Sequence, residues 1–575
     1  MAVLNKLRNT FLFMVGLCIL TPSFAAEADA IYYNGKFVTL SKSAPIAEAV
    51  AILNGRFVAV GSNSEVMQHA GPSTQRIDLK GKTVLPGLND SHTHPIMAAL
   101  SEQEEPIPVL KSIADIKAHI KKRVQALAPD RIIFVPKVYS TRLTDQRYPT
   151  RYELDEASGD RVALTDNGYA AVLNSAALRR AEISKSTPEP KNGKIIRDKN
   201  GEPTGLILGA PQLLSSLRQN RETTHADLLW AIREMHKSYN AVGITTTIDR
   251  GQTAEGFRAY LDLWQNGGLT VRSFVTYRIS AQGTPADVRQ EIERIPFVTG
   301  WGDEWFKVGS LKTVADGGIL IGTAYLREAY GNNTDIYGYK DDKYQGVLAV
   351  TRENLTEMAK TANRLGWQMT AHTTGGGATD ALLDAYEAAD KEKSIVGRRF
   401  TVTHGNFPNA RAIERAKKMG VAFDVQPAWH HYDGPALRHV FGPQRTKDFL
   451  PLRSMIDAGI VVAGGSDHMI KFDSRAAINP YNPFFGMWMA ITRKMSNGEA
   501  LYLEQAVTRD EALRMWTING AYLSFEESLK GTIEPGKLAD LVVISHDYTT
   551  CPVDQIKDIE AVQTIIGGRV VYQQQ

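Results

Sequence analysis

Residues 83–94 read Thr83-Val84-Leu85-Pro86-Gly87-Leu88-Asn89-Asp90-Ser91-His92-Thr93-His94, an apolar run that ends in two histidines. Side chains alternate faces along a β-strand, so residues two positions apart point the same way. His92 and His94 are therefore expected on one face at the end of a strand, where two imidazoles can bind one metal ion. Two exposed histidines in a loop give the same short pattern, so the interpretation depends on the rest of the chain.

Apolar segments alternate with helical stretches along most of the chain. Such alternation predicts a parallel sheet with crossover helices, and eight units predict a closed (β/α)8 TIM barrel in the α/β class. An open doubly wound sheet is the alternative. The eight predicted strand segments are 83–94, 243–250, 269–279, 305–316, 367–373, 399–404, 421–427 and 460–467.

Polar residues at the ends of these segments favour the barrel. In a barrel the carboxyl ends of the strands converge on one mouth, whereas in an open sheet they are spread along an edge. The sequence therefore predicts one site at the mouth. The residues that fall at or near strand ends are His92, His94, Lys312, His372, His404 and Asp467.

Metal chemistry fits the residue types in this set. Imidazole is a common zinc ligand, and a catalytic zinc keeps one position open for water. Asp467 follows an apolar strand, and a buried carboxylate needs a partner such as a metal or its bound water. It is a candidate to take a proton from that water and return it to a leaving amine. A helix N-cap is the alternative role for Asp467.

Lys312 lies within an apolar segment, Val308-Gly309-Ser310-Leu311-Lys312-Thr313-Val314. A buried lysine is rare unless it is paired or modified. Carbamylation by CO2 would turn its amine into an anionic oxygen ligand able to bridge two cations. The alternative is a lysine paired with Asp316 or with Asp467.

Three aromatic residues follow the seventh predicted strand. Trp429, His430 and His431 are expected at the mouth, where they are candidates to line a substrate pocket. Surface histidines are an equally good interpretation of His430 and His431.

The ends of the chain differ from its centre. Residues 1–26 carry Lys6 and Arg8 before a short apolar core and a small-x-small cleavage pattern, as in a secretory signal peptide. Segments 27–82 and 531–575 contain hairpin signals and predict one composite β-sandwich domain. The barrel is assigned to 83–530, with an inserted subdomain at about 97–240 that is expected to cover the mouth.

Composition excludes several classes of partner. The formal net charge is +3 and no long basic run occurs, so no nucleic-acid partner is predicted. No later segment is long and apolar enough to span a bilayer. We therefore expect an exported protein, periplasmic or secreted, that leaves the membrane after signal cleavage. Of its two cysteines, Cys18 lies in the signal peptide, so Cys551 remains alone after cleavage and no intramolecular disulfide is expected. A homo-oligomer remains an open alternative.

Five motifs together resemble the amidohydrolase superfamily, and its amidohydrolase-3 group in particular, which includes proteins similar to N-substituted formamide deformylase. The resemblance covers nearly the whole mature chain, with the motifs in family order. They are Leu85–His94, Lys312–Gly317, Gln426-Pro427, Gly465–Asp467 and Gly531–Val543.

The resemblance implies a metal-bearing barrel and a small-molecule substrate. It implies a divalent metal, zinc, bound one or two per chain. His92, His94 and Asp467 would bind one ion, His372 and His404 a second, with a carboxylated Lys312 bridging them. Metal-activated hydroxide would attack the carbonyl and Asp467 would shuttle the proton.

Three positions depart from the family pattern. Many relatives carry Glu where this chain has Thr403, Gly-Asp-Ala where it has Gly375-Gly376-Gly377, and His where it has Tyr169. None of these changes removes a proposed ligand. They alter the surroundings of the site, and Tyr169 joins Trp429, His430 and His431 as a candidate substrate-binding residue.

The leading hypothesis is an exported metal-dependent amidohydrolase that cleaves a non-peptide C–N bond in an amide, formamide or cyclic amide. An esterase or lactonase on the same metal centre is the first alternative. The second is a metal-bearing binding protein without turnover.

Overall fold

The computed structural model describes residues 27–190, 193–217 and 222–575. The predicted signal peptide therefore lies outside the described residues. Within them, no helix has the length and hydropathy needed to cross a bilayer.

Eight parallel strands form the central sheet, one in each of the eight segments predicted from the sequence. Neighbours in the chain are neighbours in the sheet, which is the order of a TIM barrel. Strands that are buried on both faces have apolar sequences, which is why they were recognisable. Their bounds are Leu88–Thr93, Ile244–Gln252, Arg272–Arg278, Phe306–Val314, Met369–Thr373, Thr401–His404, Ala422–Val425 and Val462–Gly464.

The first and eighth strands meet at the mouth and close the barrel. Thr93 forms a parallel bridge with His468. The main-chain N–H of Asp467 donates to the carbonyl of His92 at 2.8 Å, and that of His94 donates to the carbonyl of His468 at 2.8 Å. A Cβ on Gly465 would lie 2.8 Å from the Cβ of His92, so only glycine permits this approach.

The predicted first strand divides into two parts that belong to different sheets. Thr83–Pro86 pairs with Leu541–Ile544 and Lys36–Val38 outside the barrel, and the barrel strand begins at Leu88. Gly87 joins the two parts where a Cβ would lie 2.3 Å from Oγ1 of Thr245.

Helices follow the strands and cover the outside of the barrel. Several begin at a Thr whose hydroxyl accepts from the third residue of the helix, as Thr284 does for Pro285–Glu293. From His225 onward the helices are His225–Asn240, Ala254–Gln265, Pro285–Glu293, Arg352–Leu365, Gly376–Glu392, Ala410–Met419, Pro427–Thr446, Leu452–Asp457, Pro483–Thr492, Arg509–Met515 and Ile518–Leu523.

The two terminal segments form two sheets of four and six strands. Residues from both sheets, including Tyr32, Val50, Val84 and Leu541, share one apolar cluster. A short helix, Asn63–Val66, follows the strand Arg56–Gly61. The strands are Ala30–Tyr33, Lys36–Val38, Ile46–Ala47, Ala49–Leu53, Arg56–Gly61, Gln75–Asp78, Thr83–Pro86, Leu541–Ile544, Ala561–Ile566 and Arg569–Gln573.

The segment after the first barrel strand contains a five-stranded sheet with an apolar cluster of its own. The last part of the predicted insertion, helix His225–Asn240, instead packs on Ala254–Gln265 in the outer ring of the barrel. The remaining elements are Pro95–Ser101, Ile113–Ala126, Ile133–Pro136, Arg151–Ser158, Ala163–Asp166, Ala170–Leu173, Ser175–Arg180, Lys194–Arg197 and Pro203–Leu208.

Candidate metal centre

Two histidines and one aspartate converge at the mouth. One ligand atom from each of His92, His94 and Asp467 lies within 4.8 Å of the others. Oδ1 of Asp467 is 3.2 Å from Nε2 of His92 and 3.3 Å from Nε2 of His94. The two Nε2 atoms are themselves 3.3 Å apart. Strand alternation brings the two histidines together, and barrel closure brings Asp467 to them.

Lys312 reaches the same point from the fourth strand. Its Nζ lies 3.3 Å from Nε2 of His92, and the residue is 5% exposed. Burial lowers the pKa of Lys312 to about 8, so more of its amine is neutral near pH 7 than in an exposed lysine. Asp316 accepts instead from the main-chain N–H groups of Tyr325, Thr374 and Gly375. Within the described residues, no carboxylate lies within ion-pair distance of Lys312.

Asp467 has a constrained backbone and an ionised side chain. Its φ is 55°, in the left-handed region that residues other than glycine seldom adopt. Burial opposes ionisation, but the charge of His92 and hydrogen bonds from His92 and His94 hold the pKa of Asp467 well below its usual range. An ionised carboxylate can both bind a cation and accept a proton.

His372 and His404 lie beside this cluster. The ring centroid of His404 is 4.9 Å from that of His92 and 4.4 Å from that of His372. Nδ1 of His404 is 2.7 Å from Oε1 of Gln426, and Nε2 of His372 is 3.2 Å from the carbonyl of Gly317. Each contact engages one ring nitrogen and leaves the other, Nε2 of His404 and Nδ1 of His372, available to a ligand.

Asp424 is a residue of the site that sequence reasoning missed. Its Oδ1 is 2.9 Å from Nδ1 of His92, and its Oδ2 accepts from Oγ1 of Thr403 at 2.8 Å. The same Oδ2 forms an ion pair with Arg250, 2.9 Å from Nη2. Burial raises the pKa of Asp424, but Arg250 and His92 more than offset this and leave it strongly lowered. The sequence did carry one indication of its role, because a charged residue within an apolar strand such as Ala422–Val425 needs a partner.

The donor set fits a divalent metal. Two imidazole nitrogens and a carboxylate oxygen are ligand types that divalent metals such as zinc accept, and here they lie buried within 4.8 Å of one another. A bound cation would offset the cost of burying these polar atoms. Burial lowers the pKa of His94 to about 4, so this imidazole is neutral at pH 7 and able to bind a metal. The partner of His92 at Nδ1 is a carboxylate, the usual arrangement behind a metal-binding histidine.

The four predicted pocket residues have different surroundings. Trp429 stacks on His404 with ring centroids 4.6 Å apart, and so borders the cluster. His430 is fully buried in the helix after the seventh strand. His431 contacts the carbonyl of Lys494 and the rings of Phe485 and Trp488, and none of these belongs to the cluster. Tyr169, in the inserted region, contacts Tyr344, which follows the fourth barrel strand.

The inserted region reaches the mouth through Arg142. This side chain pairs with Asp433, with Nη2 2.9 Å from Oδ2, and also donates to Oδ1 of Asn479 at 3.2 Å. Sequence reasoning did not identify these three residues, since they are far apart in the chain.

Comparison with known proteins agrees with this geometry. Residues 75–572 match the model of the amidohydrolase family, in its third group. This chain belongs to that family. The superfamily prediction from the motifs is therefore confirmed, and the protein is a hydrolase that acts on carbon–nitrogen bonds other than peptide bonds.

Two relatives align over nearly the whole chain. It is 30% identical to N-substituted formamide deformylase of Arthrobacter pascens over 559 residues, which cover 95% of this chain and 98% of the relative. It is 28% identical to the amidohydrolase YtcJ of Bacillus subtilis, over 95% of this chain and 99% of that one.

Solved structures support the barrel. A metal-dependent hydrolase of Pyrococcus horikoshii superposes with a TM-score of 0.67 at 22% identity, covering 91% of this chain and 99% of that one. At this identity the likeness concerns the fold alone, and it confirms the predicted TIM barrel.

Proposed function

We propose that this protein is an exported amidohydrolase that uses zinc and cleaves the C–N bond of a small N-acyl amine, with formamides as the first class to test. The observation that carries the proposal is the convergence of His92, His94 and Asp467 within 4.8 Å at the barrel mouth. The identity of 30% to a formamide deformylase supports the choice of formamides. The signal-like sequence of residues 1–26 supports export.

His92, His94 and Asp467 would hold one ion, and His372, His404 and a carboxylated Lys312 a second. When bound, a divalent cation supplies a Lewis acid for the substrate carbonyl and lowers the pKa of water. The buried position of Lys312, 3.3 Å from His92, supports its assignment to this centre.

Asp467 is assigned the proton transfer. Its carboxylate accepts a proton from the water that adds to the carbonyl carbon, and then delivers that proton to the nitrogen as the C–N bond breaks. The products are a carboxylic acid, formic acid for a formamide, and a free amine. The first of these steps requires an ionised carboxylate, and Asp467 is ionised.

Trp429 would border the substrate in this proposal. Its stacking on His404 gives the mouth one apolar wall beside the ligands. An apolar wall suits the hydrocarbon part of an N-substituted amide.

The test combines metal analysis with a matched substrate panel. Purified protein is stripped with a chelator, reloaded with Zn²⁺, and assayed with N-formyl amines, N-acyl amino acids, cyclic amides and the corresponding esters and lactones. We expect at least one tightly bound equivalent of metal, activity that is lost on chelation and restored on reloading, and amides preferred over esters. Preference for esters or lactones would assign the centre to the other substrate class, and less than one equivalent of metal would contradict the proposal.

A further inference from the structure

Asn479 contacts Asp467 at both its main chain and its carboxylate. Nδ2 of Asn479 donates to the main-chain oxygen of Asp467 at 2.7 Å and lies 3.4 Å from Oδ2 of its carboxylate. Asn479 is 4% exposed. Oδ1 of Asp467 faces His92 and His94, so the buried amide of Asn479 contacts the backbone and the other carboxylate oxygen, Oδ2.

Arg142 fixes the other end of that amide. Nη2 of Arg142 donates to Oδ1 of Asn479 at 3.2 Å, and Nη1 donates to the main-chain oxygen of Ile478. A charge-assisted bond to Oδ1 settles the orientation of the amide, so that Nδ2 points to Asp467. Arg142 belongs to the inserted region, whereas Asn479 follows the eighth barrel strand.

Asp433 fixes Arg142 in turn. Nε and Nη2 of Arg142 lie 3.1 and 2.9 Å from the two carboxylate oxygens of Asp433, and Oγ1 of Thr141 donates to Oδ1 at 2.9 Å. Asp433 is fully buried in the helix after the seventh strand. This paired geometry is the strongest that arginine makes with a carboxylate.

We propose that Asp433, Arg142 and Asn479 form a positioning relay that holds Asp467 in its working orientation and makes the metal centre depend on the inserted subdomain. The inference rests on the proposed function, because the role of Asp467 comes from there. All three are positioning residues, since each acts on the centre only through Asp467. A residue at φ 55° needs such support, because the backbone alone disfavours this conformation.

Co²⁺ binding by the full chain tests the relay without requiring a substrate. The variants are Asn479→Ala and Arg142→Met, with Arg147→Met as the control, because Arg147 forms an exposed ion pair with Glu153 in the same region. We expect the two relay variants to bind Co²⁺ about 10-fold more weakly and to shift its visible absorption. The control should match the wild type. The unfolding temperature of each metal-free variant is measured alongside.

Activity at saturating metal gives a second reading. Asn479→Ala should lower kcat about 10–100-fold while KM changes little, as expected when a group acts through a reacting residue. In an Asp467→Asn background the same substitution should add almost nothing, and the Arg142→Met/Asn479→Ala double variant should be no worse than the poorer single variant. If Arg142→Met does not fold, Arg142→Lys keeps the charge but not the paired geometry and answers the same question.

The outcomes separate this inference from the proposed function. Relay variants with wild-type Co²⁺ affinity and absorption, or with losses that add in the double variant, overturn the relay. A wild-type chain that binds no Co²⁺ contradicts the proposed function, and the relay fails with it. A wild type that binds Co²⁺ but hydrolyses no amide contradicts the proposed activity alone, and the Co²⁺ data still decide the relay.

Discussion

Nδ1 of His92 lies 2.9 Å from Oδ1 of Asp424, and both side chains are fully buried. This contact fixes the ring orientation and leaves Nε2 as the nitrogen that faces His94, Lys312 and Asp467. A carboxylate behind a histidine also makes the imidazole a better donor to a metal. Asp424 therefore controls the orientation of a candidate ligand, His92, without being a ligand itself.

Asp424→Asn should weaken metal binding by about 10–100-fold, because His92 loses its carboxylate partner. Arg250 would also lose its counter-charge, and breaking a buried ion pair costs about 3–5 kcal/mol of unfolding free energy. Metal titration and denaturant unfolding measure the two effects separately. Asp457→Asn, whose side chain is 65% exposed, is the control. Unaltered metal affinity in Asp424→Asn would show that His92 is oriented by other contacts.

Asp467→Asn should bind its full complement of metal at saturating concentration, since His92 and His94 are unchanged. Turnover should fall about 10²–10⁴-fold, because the amide can neither accept nor return the proton. Metal content and kcat measured on one preparation make the comparison. Turnover close to that of the wild type would remove Asp467 from the proton transfer.

Lys312→Met should abolish binding of a second metal ion, because a methionine cannot be carboxylated. In the wild type, reloading with metal in the presence of bicarbonate should raise both the metal content and the activity, whereas Lys312→Met should not respond. Intact-mass measurement under native conditions should find the mass of one added CO2. An unmodified lysine beside a single bound ion would establish a mononuclear centre instead.

Asp540→Ala should destabilise the protein without changing its chemistry. Asp540, from the C-terminal motif, accepts from Nε and Nη2 of Arg272 at 2.7 and 3.0 Å, and both side chains are buried. Loss of one partner of such a pair costs about 3–5 kcal/mol. Glu234→Ala, which removes the exposed pair with Lys237, should cost less than about 1 kcal/mol. Equal losses in the two variants would contradict a stabilising role for the buried ion pair between Asp540 and Arg272.

The sequence alone predicted the barrel and the candidate metal ligands of its site. Strands buried on both faces leave uninterrupted apolar runs, and a histidine, lysine or aspartate at the end of such a run is conspicuous. Convergence then follows from topology, because the strand ends of a barrel meet at one mouth. His92, His94, Lys312 and Asp467 were predicted by this argument, and they lie together in the structure.

The tertiary structure alone decided how those residues are held. Asp424 lies 332 positions from His92, and Arg142 lies 337 positions from Asn479, so no local pattern connects either pair. The division of residues 83–94 between two sheets was also invisible, because both halves are apolar and extended. Periodicity reports which face of an element is buried, whereas the partner of a buried charge depends on which distant segment folds against it.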